Sequence, residues 1–286
     1  MLIYRLQSLL DYQNYLRRCR HLLRLEEEER KQALSEIPPG ASEFTLPGFS
    51  YPAGKMVDFT IRLAASTTSD HSGPVVNWRE VLRCPETRMN ARLRASVHVI
   101  ESCLDLYGDS HFYIAEQVTP LFKYFKPRFD RLIGSEFLGD SVPLGHTNQR
   151  GVRNEDLCRL SFDSESLEAV LSFDVLEHVP DYASAIKESF RVLRSGGRLF
   201  WSAPVNLNSE DTVVRAVIEN GEIKHLLPPQ YHGDPISGDG VLCYQIFGWD
   251  VLDMMRETGF RDVCLMICHG QQFGYYKPNT FFYAIK

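Results

Sequence analysis

Polar side chains able to do chemistry crowd one short stretch, Ile223-Lys-His-Leu-Leu-Pro-Pro-Gln-Tyr-His-Gly-Asp-Pro235. Prolines stiffen this loop, a glycine lets it turn, and His225, Tyr231, His232 and Asp234 have donors and acceptors to spare. A further histidine, His178, closes Val175-Leu-Glu-His178 directly after the apolar run Ala169–Phe173 and Asp174. An imidazole titrates close to neutral pH, so it can take the proton that a hydroxyl or amine gives up as it reacts. His178 first and His232 second are therefore the candidate general bases. His225, Tyr231 and Asp234 are the candidate substrate contacts; the competing reading is that they only tie their loop to itself.

Acids punctuate the strand ends upstream. His111-Phe-Tyr-Ile-Ala-Glu116 reads as a first strand, and Arg131-Leu-Ile-Gly-Ser-Glu136 as a second. An acid roughly 20 residues after the first strand is the pattern of a nucleotide-binding fold, where the carboxylate takes up ribose hydroxyls. The glycine-rich turn that a diphosphate needs is missing; Gln117-Val-Thr-Pro120 stands there instead. That disfavours a nicotinamide-dependent oxidoreductase, because diphosphate depends on close backbone approach.

The elements that must position these groups are legible around residue 170. Ala169–Phe173 is a short apolar run, as a buried strand requires. Asp181 suits a helix N-cap, and Ile186, Phe190 and Leu193 follow at helical spacing. Gly196-Gly197 is expected to stop that helix, and Arg198–Ala203 is a second strand closed by Pro204. Strand, loop, helix, turn and strand make a right-handed βαβ unit.

Two blocks here, Ser172-Phe-Asp-Val-Leu-Glu-His-Val-Pro-Asp181 and Ile186-Lys-Glu-Ser-Phe-Arg-Val-Leu-Arg-Ser-Gly-Gly-Arg-Leu199, resemble the fourth- and fifth-strand blocks of class I S-adenosylmethionine (SAM)-dependent methyltransferases, closest to the "type 11" group. The resemblance implies an α/β, Rossmann-like fold: a seven-stranded, mostly parallel, doubly wound sheet with a terminal antiparallel hairpin and a helical N-terminal extension. It implies SAM as cofactor, with Glu116, Gln117 and Thr119 on the first loop and Ser135, Glu136 and Phe137 at the second strand's tip. Asp156 would meet the adenine amino group beside the Leu157 backbone, Phe173 and Asp174 would edge the cofactor, and His178 would face the reaction centre. The family's Gly-x-Gly loop is absent, and Gln117 and Thr119 would supply hydrogen bonds in its place. The implied activity is methyl transfer to an oxygen or nitrogen of a small-molecule or glycan-like acceptor. The competing expectation is a diverged, non-catalytic member acting as a partner subunit or scaffold.

The remaining chain divides into an extension and cap over residues 1–90 and a methyltransferase domain over 91–286, with 205–245 inserted on the substrate side. Leu2, Leu6, Leu9, Leu10, Leu16 and Leu23 suggest one amphipathic helix from Met1 to about Ser35 that packs on the body or on a second copy, which leaves a homodimer open. Residues 41–80 read as loops, and Asn77–Arg92 is similar to the second half of a zinc module of related enzymes, reduced to Cys84 alone. Ala91–Tyr107, Thr212–Ile218 and Asp250–Thr258 read as helices. Gly151–Leu157 should bring the third strand's end, and Phe260–His269 with Thr280–Ile285 should be the last two strands.

The composition bounds the classes. In 286 residues, 44% are apolar, 24% are charged and the net charge is −6, which suits an ordinary soluble globule and not a nucleic-acid binder. No apolar run approaches a membrane span, and the N-terminus lacks a signal-peptide pattern. The seven scattered cysteines form no Cys-x-x-Cys pair, so a reduced, cytoplasmic chain with no bound metal is expected.

Overall fold

The computed structural model describes residues 1–38, 41–63, 67–70, 73–233 and 240–286. Short apolar runs form its central sheet: β1 (Leu2–Leu6), β2 (Phe112–Ile114), β3 (Leu132–Gly134), β4 (Leu167–Phe173), β5 (Leu193–Ser202), β6 (Arg261–Gly270) and β7 (Tyr275–Ile285). They lie in the order β1-β6-β7-β5-β4-β2-β3. Strands β3, β2, β4 and β5 are parallel, and β7 runs antiparallel to β5. Parallel strands are covered on both faces, which is why Phe112, Ile114, Ala169, Val170, Leu171 and Phe200 have no exposure at all. The Rossmann-like, seven-stranded, mostly parallel sheet expected from the sequence is thus present.

Its membership differs at both edges. Instead of a third strand, residues 151–157 make isolated bridges, a parallel one from Asn154 to Glu136 and antiparallel ones from Arg153 to Thr147 and from Asp156 to Arg159. Polar Arg153, Asn154, Glu155 and Asp156 bond locally and offer no apolar run to bury. The seventh strand is β1, cut from the start of the segment expected to be one helix. The rest of that segment splits into α1 (Leu9–Arg18) and α2 (Arg20–Ser35). Leu2-Ile-Tyr-Arg-Leu6 carries β-forming Ile and Tyr, which the leucine stripe masked.

The other helices are α3 (Ala91–Cys103), α4 (Pro120–Phe125), α5 (Tyr182–Val192) and α6 (Asp250–Thr258). Helix α5 starts where expected, with Asp181 Oδ1 accepting from the Ser184 amide at 3.0 Å. It stops earlier than Gly196-Gly197: Leu193 already begins β5, and Gly196, at φ 77°, bends the strand's entry. The helix expected over Thr212–Ile218 is instead β structure. Val213–Val214 pairs with Gln245–Ile246, and Ala216–Glu219 forms a hairpin with Glu222–His225. Asn220 and Gly221 take φ of 53° and 83°, the left-handed pair that a two-residue hairpin turn demands. The insert's two ends meet: Val205 bridges Phe247, the Asn206 amide donates to the Phe247 carbonyl at 2.8 Å, and the Phe247 amide to that of Pro204 at 3.1 Å.

The described chain forms two compact units, one of residues 1–4, 13–106 and 267–279, the other of 5–12, 107–266 and 280–286. In the first, the stretch read as loops holds a long hairpin, Glu43–Ser50 with Lys55–Arg62. Its core includes Arg94, fully buried, whose guanidinium lies 3.7 Å from the Phe59 ring centroid and donates to the Leu82 carbonyl at 3.1 Å and to that of Phe273. The imidazole of His98 stacks on Tyr51 with centroids 3.7 Å apart. Cys84 is buried and accepts from the Ser50 hydroxyl at 3.3 Å. The second unit carries every described residue singled out above for chemistry.

Candidate functional site

The chain runs from β2 to β3 on one side and returns on the other to β4, so a topological switch point lies between β2 and β4. Ligands of open α/β sheets bind outside the carboxyl ends of the strands at such a point. Ile114 is level with Gly134 on one neighbour and with Leu171 on the other. Glu116, Glu136 and Asp174 therefore follow the ends of three adjacent strands at nearly one height.

Glu136 organises this crest. Its Oε1 accepts from the backbone amides of Gln117 at 2.7 Å and Val118 at 2.9 Å. The loop that lacks glycines is thus pinned by the neighbouring strand's carboxylate. Gln117 turns its side chain to the protein: Nε2 donates to the Gly151 carbonyl at 2.9 Å, and Oε1 accepts from the Arg153 amide at 2.8 Å. Thr119 caps α4, its hydroxyl accepting from the Phe122 amide at 3.3 Å, with Pro120 at the first helical position. Both side chains expected to replace the glycines toward cofactor have work within the fold. The fit beneath is close: a Cβ on Gly134 would lie 2.4 Å from the Phe122 ring and 2.7 Å from the Glu116 carbonyl.

Glu116 is buried, and Ser135 is buried with its hydroxyl 2.7 Å from that of Tyr113. Phe137 is 68% exposed, a free aromatic face at the tip of β3. Asp156 Oδ1 accepts from the Cys158 amide at 2.9 Å, the turn-capping role that competes with adenine contact, while Leu157 is buried beside it. Phe173 packs edge-on against Phe200 and Phe281. Asp174 takes φ 55°, and its Oδ1 accepts from the Ser202 hydroxyl at 2.8 Å. A non-glycine residue held left-handed at a strand tip marks backbone that the surrounding structure constrains. This donor set fits SAM: carboxylates suit ribose hydroxyls and the ammonium and sulfonium charges, whereas they would repel a diphosphate.

Shortly after Asp174, where the sequence predicts a connecting loop, the chain makes a 3₁₀ turn, Leu176–His178. Gln245 holds it. Its Nε2 donates to the Leu176 carbonyl at 2.6 Å and to the Val179 carbonyl at 3.0 Å. The Tyr244 amide donates to the Glu177 carbonyl at 2.8 Å. On this turn His178 directs Nδ1 at the Leu242 carbonyl, 2.8 Å away, which fixes the proton there and leaves Nε2 with its lone pair. His232 comes from the insert, on the short ladder Tyr231–His232 with Val241–Leu242, and its ring stands edge-to-face to that of His178 with centroids 5.0 Å apart. The two candidate bases are thereby brought together.

Between them lies Glu177, with a side-chain exposure of 0%, 3.7 Å from His178 Nε2 and 3.5 Å from His232 Nδ1. Neither carboxylate oxygen has a hydrogen-bond partner among the described residues. Burial pushes this carboxyl above the ordinary range, and nearby Asp174 adds to the effect, against the pull of the two histidines. Glu177 and Gln245 are the site residues the sequence reading missed; the signal was Glu-His in direct succession after a strand. Of the insert's other candidates, His225 is exposed at the end of the Glu222–His225 strand and Tyr231 is 58% exposed. Asp234 lies outside the described residues.

Residues 121–201 match the family model described as Methyltransferase domain. Over 78 residues the chain is 35% identical to a protein of Mycolicibacterium smegmatis described as a probable S-adenosylmethionine-dependent methyltransferase. That alignment covers 26% of this chain and spans 30% of the relative's length. Among solved structures, a SAM-dependent methyltransferase of Mesorhizobium loti superposes with TM-score 0.44 at 15% identity, over 67% of this chain and 98% of that one. Phosphoethanolamine N-methyltransferase 2 of Haemonchus contortus, in complex with SAM, superposes with TM-score 0.41 at 13% identity, over 67% of this chain and 52% of that one.

Proposed function

We propose that this chain transfers the methyl group of SAM to an oxygen or nitrogen of a small-molecule or glycan-like acceptor. The observation that carries the reading is the crest of carboxylates at three neighbouring strand tips, with Glu136 clamping the first loop in place of glycines. SAM, when bound, supplies a methyl group already activated by its sulfonium. The chain's own task is then alignment, which in favourable cases is worth roughly 7–11 kcal/mol of barrier. Glu136 orders the loop amides and faces the ribose, Asp156 and Leu157 flank the adenine, and Phe173 supplies an apolar wall. The Glu177–His178–His232 group handles the acceptor's polar atom, with His232 brought in by the insert. Tyr231 and His225 on the same insert extend toward solvent, where the outer part of a larger acceptor would lie.

Calorimetric titration with S-adenosylhomocysteine tests the reading. We expect saturable binding that Glu136→Ala weakens at least tenfold, while His178→Ala and His232→Ala leave it largely intact and depress turnover. No binding at millimolar ligand by a folded protein would favour a scaffold or partner-subunit role instead. The two internally bonded loop side chains, Gln117 and Thr119, are the observation on that side.

A further inference from the structure

Glu177, His178 and His232 are placed as ligands of one ion more than as partners of one another. Their ligating atoms lie within 4.8 Å of each other, and the two measured separations from Glu177 Oε1 are 3.5 and 3.7 Å. Those distances exceed a working hydrogen bond. They match a tetrahedral ion, whose bonds of about 2.1 Å set neighbouring ligand atoms about 3.4 Å apart. A buried carboxylate with neither oxygen hydrogen-bonded is costly unless something else meets it, and a cation between the three groups would.

The surroundings agree. A ligating imidazole is normally oriented by its other nitrogen, and His178 Nδ1 meets the Leu242 carbonyl at 2.8 Å. His232 would ligate through Nδ1, which puts its proton on Nε2; the Gln230 amide nitrogen lies 3.3 Å from that atom, and turning the amide over would bring its oxygen there as the acceptor. The sequence-based expectation of no metal rested on scattered cysteines, and this group uses none of them.

We propose that Glu177, His178 and His232 form a binding site for a divalent transition-metal ion, a two-histidine, one-carboxylate set. Three protein ligands leave at least one position open for water or for an oxygen of the acceptor. Binding of the ion stands on this geometry alone, whereas its use in orienting the acceptor rests on the methyl-transfer reading above.

Full-length protein stripped with a chelator and titrated with Co²⁺ should take up one ion at micromolar concentration and develop visible absorption, which Zn²⁺ abolishes by displacement. Glu177→Gln and His232→Ala should each weaken Co²⁺ binding at least tenfold. His21→Ala, which removes an exposed histidine of α2, should leave it unchanged. If the buried Glu177→Gln variant does not fold, the partly exposed His232→Ala variant carries the test, with circular dichroism as the check on folding. No visible band, or binding that neither variant alters, overturns the site. Titration with S-adenosylhomocysteine runs alongside. Its failure with Co²⁺ binding intact removes the methyl-transfer reading but not the metal site, and the converse removes the metal site alone.

Discussion

Gln245 offers the sharpest test of how the turn bearing Glu177 and His178 is held. Replacing it by leucine keeps the volume and removes the Nε2 that donates to the Leu176 and Val179 carbonyls at 2.6 and 3.0 Å. Gln245 is 1% exposed, so water does not substitute for it. Each neutral hydrogen bond contributes about 1 kcal/mol, and an acceptor left buried without a donor costs about 1–3 kcal/mol. The Val179 carbonyl is nearer to solvent, and the Leu176 carbonyl keeps the Val179 amide at 3.2 Å, which together hold the sum to about 2–4 kcal/mol. That loss falls on local opening of the turn. Hydrogen exchange at the His178 and Val179 amides should then accelerate by about 30-fold or more, since each 1.4 kcal/mol is a factor of ten. Exchange followed by mass spectrometry on a peptide spanning residues 174–181 reads this directly. Acceleration below threefold in a folded variant would show that Gln245 does not hold the turn.

Three further outcomes are expected. Gly134→Ala should cost about 1–3 kcal/mol and weaken S-adenosylhomocysteine binding, because the new methyl group lands on the Phe122 ring and the Glu116 carbonyl; unchanged thermal unfolding and binding would contradict the close approach. Tyr113→Phe should cost about 1 kcal/mol by leaving the buried Ser135 hydroxyl without its partner at 2.7 Å, measured by the shift in urea midpoint. His98 is pushed down to about 4, chiefly by burial with the positive N-terminus adding, so the folded state holds it neutral. Its contribution is complete above the unfolded value of about 6.5 and falls away as pH drops from there toward 4, by roughly 2 kcal/mol. Urea midpoints compared at pH 7 and pH 4.5 should differ less in His98→Phe than in wild type; an equal difference refutes the assignment.

What the sequence revealed and what it hid divide along physical lines. Ala169–Phe173, Asp181 and the Ile186 stripe were legible because burial on both faces, capping and helical spacing are local signals. The strand at Leu2–Leu6 was not, since its pairing depends on residues near position 265 and its leucines also suit a helix. The apolar residues of Val213–Ile218 suit a helix face, yet their β-branching favours strands and Asn220-Gly221 signals the hairpin that forms. The candidate bases were named singly from residue type. Their convergence on Glu177 depends on an insert folding back some fifty residues later, which no spacing encodes.

The meeting of Pro204–Asn206 with Phe247 at the mouth of the insert has a consequence for how such a chain can change. Because the two flanks are stitched together before the excursion begins, its outer hairpin, Ala216–His225, can be exchanged, lengthened or trimmed while Thr212 keeps its bonds to Asp250 and Gln245 its hold on the Leu176–His178 turn. His178 stays with the sheet while His232 travels with the excursion. Transplanting a different hairpin there would reshape the outer face of the insert and leave the Leu176–His178 turn as it was.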